Sequence, residues 1–417
     1  MNENIFDTIT EVEEQLKDRF NQISKIVTAN QLKVLNAFQR HQVGDYHFNP
    51  TTGYGYDDSG RDKLEEVYAS IFNTEDALVR HQIVSGTHAI TTALFGLLRP
   101  DDELMYITGR PYDTLEDVIG IEKEVDGSLK DYGIHYSEIP LKENGEVDFE
   151  RVEQSIHAKT KVIAIQRSRG YADRPSFTIK QIKEMVDFVK SIRSDLIVFV
   201  DNCYGEFVET LEPTDVGVDI MAGSLIKNPG AGIVKTGGYL VGKKEFVDKC
   251  SNYLVAPGGL GKETGASIYS LLEMYQGIFL APHVVGEALK GAYFTSKLLQ
   301  LNGYNAKPGP EDERTDLIQT ITFNSKEEMI KFAQIIQQQS PINSHVIPYP
   351  SYMPGYEHDV IMAGGTFIQG GSLELTADGP IKEPYTLYVQ GGLTYEHVKL
   401  AITKGLLSLN ELNQPIG

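Results

Sequence analysis

Residues 196–232 read LIVFVDNCYGEFVETLEPTDVGVDIMAGSLIKNPGAG. The run Leu196-Ile197-Val198-Phe199-Val200 is short, continuous and rich in β-branched residues, the pattern of a strand buried on both faces of a parallel sheet. It ends on Asp201, which places a carboxylate at the carboxyl end of that strand, where ligands of doubly wound sheets bind. Such a carboxylate is costly without a cationic partner; capping of the next loop is the plainer account of it. Lys227 follows 26 residues later, between an apolar stretch and the glycine-rich Gly230-Ala231-Gly232.

The flanking sequence repeats the pattern. Apolar strand-like runs at 77–84, 103–107, 134–139 and 161–165 alternate with stretches of helical period, which predicts a mostly parallel sheet wrapped by helices. One helix is explicit: Thr178 and Gln181 form a capping-box pair, and Ile179, Ile182, Met185, Val186, Val189 and Ile192 fall on one face. Upstream, Val12, Leu16, Phe20, Ile23 and Val27 make an apolar helical stripe that something must cover, and residues 41–63 turn to Gly, Tyr and Asp as an ordered arm. Beyond about 255 the alternation stops. A helical region interrupted by Pro282 leads to an α+β unit with a second capping box, Ser325 to Glu328, and a hairpin expected around Ala377-Asp378-Gly379-Pro380. The expected divisions are a helix and arm over 1–60, a large α/β domain over 61–285 and a small α+β domain over 286–417.

With 417 residues, 41% of them hydrophobic, the chain can bury a sizeable core. Lys plus Arg number 38 against 58 Asp plus Glu, a net charge of −20 that argues against nucleic acid as a partner. Two cysteines, Cys203 and Cys250, build neither a disulfide framework nor a multi-cysteine metal site. The start MNENIFDTITEVEEQL lacks the basic-then-apolar order of a secretory signal, and no apolar run reaches about 18 residues, so a cytoplasmic protein without membrane contact is expected.

Common catalytic signatures are missing. Ala256 stands where a phosphate-binding G-x-x-x-x-G-K loop needs its first glycine, Gly230-Ala231-Gly232 runs to Lys235 instead of a third glycine, and no G-x-S-x-G occurs. No two of the ten histidines lie two to four residues apart, and no metal is expected. Three segments remain. Ser85-Gly86-Thr87 follows a strand and opens an apolar helix, where free N–H groups and the helix dipole suit a phosphate, although a serine-capped turn reads the same way. Asp201 can face a protonated ring nitrogen. Lys227, near the hydroxyl of Ser224, is an amine whose desolvation would lower its pKa toward the neutral form that attacks an aldehyde; a surface lysine is the plainer alternative. An anion cradle, an acid and an imine-forming lysine in this order describe a pyridoxal phosphate site.

The strand-SGT-helix element, VDNCYGEF and GSLIKNPGAG resemble the fold-type-I pyridoxal phosphate enzymes, in particular the cystathionine and methionine lyase branch, and the 26-residue spacing is similar. GYGYDDSGRDKLEEVY, DALVRHQIVSGTHAI, MYQGIFLAPHVVGEALKGA, RTDLIQ and VIMAGGTFIQGGSLELTADGPIKEPYTLYVQGGLTYEHVKL extend the resemblance, over nearly the whole chain, to the methionine gamma-lyase-like or aluminium resistance protein family. It implies the fold-type-I pyridoxal phosphate-dependent transferase fold, with a mostly parallel seven-stranded sheet in the large domain and a smaller α+β C-terminal domain. It also implies pyridoxal 5'-phosphate held covalently on Lys227 and β- or γ-elimination at the C–S bond of a sulfur-containing amino acid, chemistry of the EC 4.4.1 kind. In that reading Lys227 forms the Schiff base and removes the Cα proton, Asp201 faces N1 of the ring, and Tyr112 in RPYDTLEDVIG stacks on the ring and assists proton transfer. Ser85, Gly86, Thr87 and Ser224 hold the phosphate.

Two departures from the branch carry expectations of their own. Its Tyr-x-Arg phosphate clamp, supplied by a neighbouring subunit, is replaced by Tyr54-Gly55-Tyr56 with Arg61 five residues on, which makes Tyr56 and Arg61 the candidates. Its carboxylate-binding arginine falls near Tyr388, which passes that role to Arg167 or Arg169 in IQRSRGYADR, or to Arg314. Active sites of this fold lie between subunits, so at least a homodimer is implied, a homotetramer staying open, with the N-terminal stripe and the Tyr-rich arm as contact elements. Transamination, aldol cleavage or racemisation through the same Cα carbanion, or a cofactor-binding stress or metal-tolerance protein with little catalysis, are the alternatives. His88 and Cys203 read as packing residues.

Overall fold

A computed structural model describes residues 2–353 and 357–412. Seven strands form the large sheet: β1 (Asp76–Arg80), β2 (Glu103–Tyr106), β3 (His135–Glu138), β4 (Thr160–Gln166), β5 (Ile197–Asp201), β6 (Ile220–Ser224) and β7 (Gly238–Gly242), in the order β1-β7-β6-β5-β4-β2-β3. Only β7 is reversed, pairing antiparallel with β1 and β6. The continuous apolar runs follow from burial on both faces. Val198 and Val200 of β5 pack on the side of Ile182, Met185 and Val189, and Phe199 packs on the opposite side with Ile90 and Leu94. Register aligns the strand ends, with Gln166 opposite Asp201 and Asp201 opposite Ala222.

The helix Ile179–Ile192 is capped as its sequence predicts: Thr178 Oγ1 accepts from Gln181 N–H at 3.2 Å, and Gln181 Oε1 accepts from Thr178 N–H at 2.9 Å. At Ser325 only half of the pattern forms. Its Oγ accepts from Glu328 N–H at 3.2 Å, while the Glu328 carboxylate turns to the N–H of Asn324 at 3.1 Å.

The C-terminal unit is a five-stranded antiparallel sheet of β8 (Asn305–Lys307), β9 (Gln319–Thr322), β10 (Val360–Ala363), β11 (Thr376–Pro380) and β12 (Thr386–Gln390), in the order β10-β11-β12-β9-β8. Residues 377–380, expected as a hairpin turn, belong to β11. Gly379 serves close strand approach there, because a Cβ would lie 2.6 Å from Thr386 O. Pro282 does not interrupt its helix: Leu272–Leu301 continues through it and through position 285, held by burial along most of its length. Strand β1 ends at Arg80 rather than 84, and residues 59–63 of the expected arm already belong to the helix Ser59–Ile71, capped by Asp58.

The N-terminal helix Asn2–Arg40 covers much of its stripe within the same chain. Val12, Leu16 and Ile23 are buried, Phe20 meets Tyr395 edge-on at 5.2 Å between ring centroids, and Val27 sits where a Cβ on Gly286 would come within 2.4 Å of it. Polar ties accompany the packing: Asn30 Nδ2 donates to the carbonyls of Phe207 and Glu209 at 3.0 Å, and Arg19 donates to Glu311 O at 2.9 Å. Among the described residues no helix is long and apolar enough to cross a membrane.

The double cap at Thr178 gives a direct test of the helix that backs β5. Thr178→Ala removes the side-chain acceptor and should lower the unfolding free energy by about 1 kcal/mol, read as a shifted urea midpoint at unchanged slope.

Candidate active site

The carboxyl ends of β4, β5 and β6, the turn after β1 and the loop after β2 surround one cleft with a cavity of about 640 Å³. It brings together Ser85, Gly86, Thr87, Tyr112, Arg169, Asp201, Ser224 and Lys227. Ser85 caps the helix Gly86–Leu97 by accepting from His88 N–H at 3.0 Å, and the N–H groups of Gly86 and Thr87 have no carbonyl to bond within the helix. A Cβ on Gly86 would lie 3.1 Å from Ser224 Cβ and 3.3 Å from Cys203 Sγ, so the helix start and the ends of β5 and β6 close on each other only with glycine there.

Thr87 Oγ1 and the Tyr112 hydroxyl are 2.7 Å apart, and Tyr112 N–H donates to Gln166 Oε1 at 2.9 Å. Burial raises the Tyr112 hydroxyl well above the usual phenol range, and the nearby Asp201 adds to it. Asp201 is 5% exposed and accepts from Cys203 N–H at 3.1 Å. Burial pushes its carboxyl up, against the downward pull of Cys203, Lys227 and Arg174. Cys203 therefore does more than pack: it lines the cleft and bonds the acid.

Lys227 is half-buried, and its Nζ donates to Gly371 O at 2.7 Å. The same nitrogen lies 3.8 Å from the centroid of the Tyr204 ring, and the Tyr204 hydroxyl donates to the same Gly371 carbonyl at 3.1 Å. Burial pulls the amine down, but Tyr204, Cys203 and Asp201 together pull it up, and the net shift is upward. This reverses the expectation drawn from desolvation alone: the chain by itself holds an ammonium. Tyr204 reaches this position from a left-handed backbone at φ 67°, a strained setting for a bulky residue that costs roughly 1–3 kcal/mol. Gly371 has no room for a side chain, since a Cβ would lie 2.9 Å from the Tyr204 hydroxyl and 3.2 Å from Nζ.

The remaining candidates lie elsewhere. Arg167 is not brought to the cleft: it is fully buried, with Nη1 donating to Asn202 Oδ1 and Gly205 O at 2.9 Å, Nε to Thr315 Oγ1 at 3.1 Å and Nη2 to Glu209 at 3.0 Å. Arg314 is also buried away from it, its Nη2 donating to Ala292 O, Pro308 O and Gln319 Oε1, with the guanidinium 4.7 Å from the Tyr293 ring centroid. Arg61 is 2% exposed, bonded to Gly55 O at 2.8 Å and paired with Asp62 at 2.8 Å, so it reaches outward only by breaking those bonds. Tyr56, 57% exposed beside Tyr54, is free to do so. Gln166, Tyr204 and Gly371 are the site residues that the sequence reading did not single out.

The methionine gamma-lyase family profile matches residues 5–410. The uncharacterized protein YnbB of Bacillus subtilis is 58% identical over 416 residues, covering 97% of this chain and 99% of its own. A solved Listeria monocytogenes structure, provisionally named a cystathionine beta-lyase involved in aluminum resistance, is 63% identical, with a TM-score of 0.95 over 96% of this chain and 99% of that one. The pyridoxal-5'-phosphate-dependent protein YhfS of Escherichia coli, 15% identical, shares the fold at a TM-score of 0.63 over 93% of this chain and 97% of that one.

Glu206 adjoins the site, and its backbone carbonyl accepts from Asn228 Nδ2, next to Lys227, at 2.9 Å. The carboxyl is fully buried: Oε1 accepts from the Tyr239 hydroxyl at 2.7 Å, and Oε2 has no hydrogen-bond partner. Burial lifts it from 4.5 to about 8. The folded value lies above the unfolded one, so the stability it contributes is complete below about pH 4.5 and is lost as pH rises toward about 8. Glu206→Gln, neutral throughout, should lose less stability than the wild type between about pH 5 and about pH 8 in urea titrations. Parallel declines would show that Glu206 is charged in the folded chain.

Proposed function

Because the chain belongs to the methionine gamma-lyase family, we propose that it is a pyridoxal phosphate-dependent carbon–sulfur lyase acting on a sulfur-containing amino acid through Lys227. The observation that carries this reading is one cleft lined by an amine, a buried acid and a helix start with free N–H groups. The donor set fits the cofactor. Gly86 and Thr87 N–H and the Ser224 hydroxyl suit the phosphate, and the Asp201 carboxyl, raised by burial against the weaker pull of Lys227 and Arg174, suits a protonated ring nitrogen in direct contact. When bound, the cofactor supplies an electron sink for the pair left at the substrate Cα.

The chain's own groups then divide the work. Lys227 would lose its ammonium proton to solvent on joining the cofactor; released as the neutral amine and withdrawn from Gly371 O, its Nζ would take the Cα proton, while Asp201 would hold the proton on the ring nitrogen. Tyr112, in the cleft lining, would stand beside the ring, and its hydroxyl, kept protonated by burial, would give a proton to the departing sulfur. The exposed Tyr54 and Tyr56 support a homodimer contact at the arm.

Borohydride reduction followed by peptide mass analysis should mark Lys227 in the wild type and nothing in Lys227→Ala. Thioether amino acids should yield keto acid, ammonia and thiol. Asp201→Asn should fold and load cofactor yet turn over about 100-fold more slowly, within the range by which a positioned acid or base accelerates. An unmarked Lys227 in the wild type would remove the reading.

A further inference from the structure

A lyase of this kind must hold the α-carboxylate of its substrate, and the last strand offers no guanidinium for it: Tyr388 of β12 carries a phenol. We propose that Arg169 is the residue that binds the substrate α-carboxylate, from a loop that Tyr388 braces. The inference rests on the lyase reading above and deepens it by assigning the anion subsite.

Arg169 is half-buried and lines the cleft with Lys227 and Asp201. Its backbone is fixed while its guanidinium is not. Arg169 N–H donates to Ser176 Oγ at 2.9 Å, and Ser168 O accepts from Gln166 Nε2 at 2.9 Å and from Arg174 Nη2 at 2.6 Å. On the other side, the Tyr388 hydroxyl donates to Tyr171 O at 2.7 Å, and the two rings meet edge-on at 5.1 Å. Among the described residues the one hydrogen bond that Arg169 donates is that of its backbone N–H to Ser176.

Two further guanidiniums stand close to Arg169. Burial pushes the Arg174 and Arg314 guanidiniums down to about 10, and repulsion from Arg169 adds to the push. The nearby Asp316 is engaged elsewhere, its oxygens accepting from the Ser168 and Ser176 hydroxyls and from Ile318 N–H. An entering carboxylate meets a forked donor carried on a backbone that the loop already fixes, so the bidentate contact has only the side chain left to order. The rival cations are less suited. Arg110 is held by Glu116 and Glu122, and Lys382 is exposed at the rim.

The test compares carboxylate with carboxamide. Holoenzyme is titrated by calorimetry with L-methionine, S-methyl-L-cysteine and L-homocysteine, each against its own α-carboxamide. Wild type should prefer the tightest-binding amino acid over its amide. Arg169→Ala should weaken that amino acid about 100-fold, to the level of the amide, and leave the amide unchanged. Arg169→Lys should recover part of the preference, which separates a charge contact from a folding defect. Tyr388→Phe, which frees the loop but leaves the guanidinium, should weaken the carboxylate ligand several-fold with the same indifference to the amide. If Arg169→Ala binds cofactor and keeps the wild-type preference, the assignment is overturned. If wild type loads cofactor but binds no amino acid, the lyase reading fails first and the subsite with it.

Discussion

A carboxylate sealed at the end of a parallel strand is the constraint to which the rest of the site answers. Strand β5 delivers Asp201 into buried surroundings at the floor of the cleft, where, among the described residues, the one backbone N–H that reaches its oxygens is that of Cys203. The energetic cost falls on the charged form, and the upward shift records it. Fixed register then does the placing: Gln166 stands beside Asp201, and Ser224 ends the next strand, so a hydrogen-bond frame, an acid and a hydroxyl arrive in a row without any loop having to find them.

The same regularity explains what could be read from the amino-acid order. Strands buried on both faces leave continuous apolar runs, and the helix Ile179–Ile192 announces both its cap and its face. Asp201 and the Ser85–Thr87 turn could be placed because each adjoins such a signal. Arg167 and Arg169 could not be told apart, since they sit two residues apart in the same text. What separates them is distant: Thr315 and Glu209 claim Arg167, and no local pattern points to either. Residues 377–380 have the composition of a turn, but the close approach of Thr386 O gives Gly379 a different purpose. The left-handed backbone at Tyr204 and the bare Cα at Gly371 are likewise tertiary facts, invisible to periodicity.

Gly371 also shows that the site is not the property of the large sheet alone. Its carbonyl, offered by the segment between β10 and β11, gathers two donors, the Lys227 ammonium and the Tyr204 phenol. The adjacent Leu373 N–H donates to Ile226 O at 3.2 Å and fixes that segment against the lysine loop. The position of the amine is thus fixed by a contact between the two sheets, while its charge is held by Tyr204, Cys203 and Asp201 at the end of β5.

The N-terminal helix reaches from the loop after β5 to the C-terminal helix Tyr395–Leu412. At one end Asn30 holds Phe207 and Glu209; at the other Glu13 accepts from Tyr395 and Lys399 at 2.8 Å. A continuous rod anchored at both ends resists bending, so swinging one sheet away from the other would strip apolar surface along its whole length. The helix thus acts as a strut between the end of β5 and the C-terminal helix, and any opening between the two sheets must first break its ties at one end.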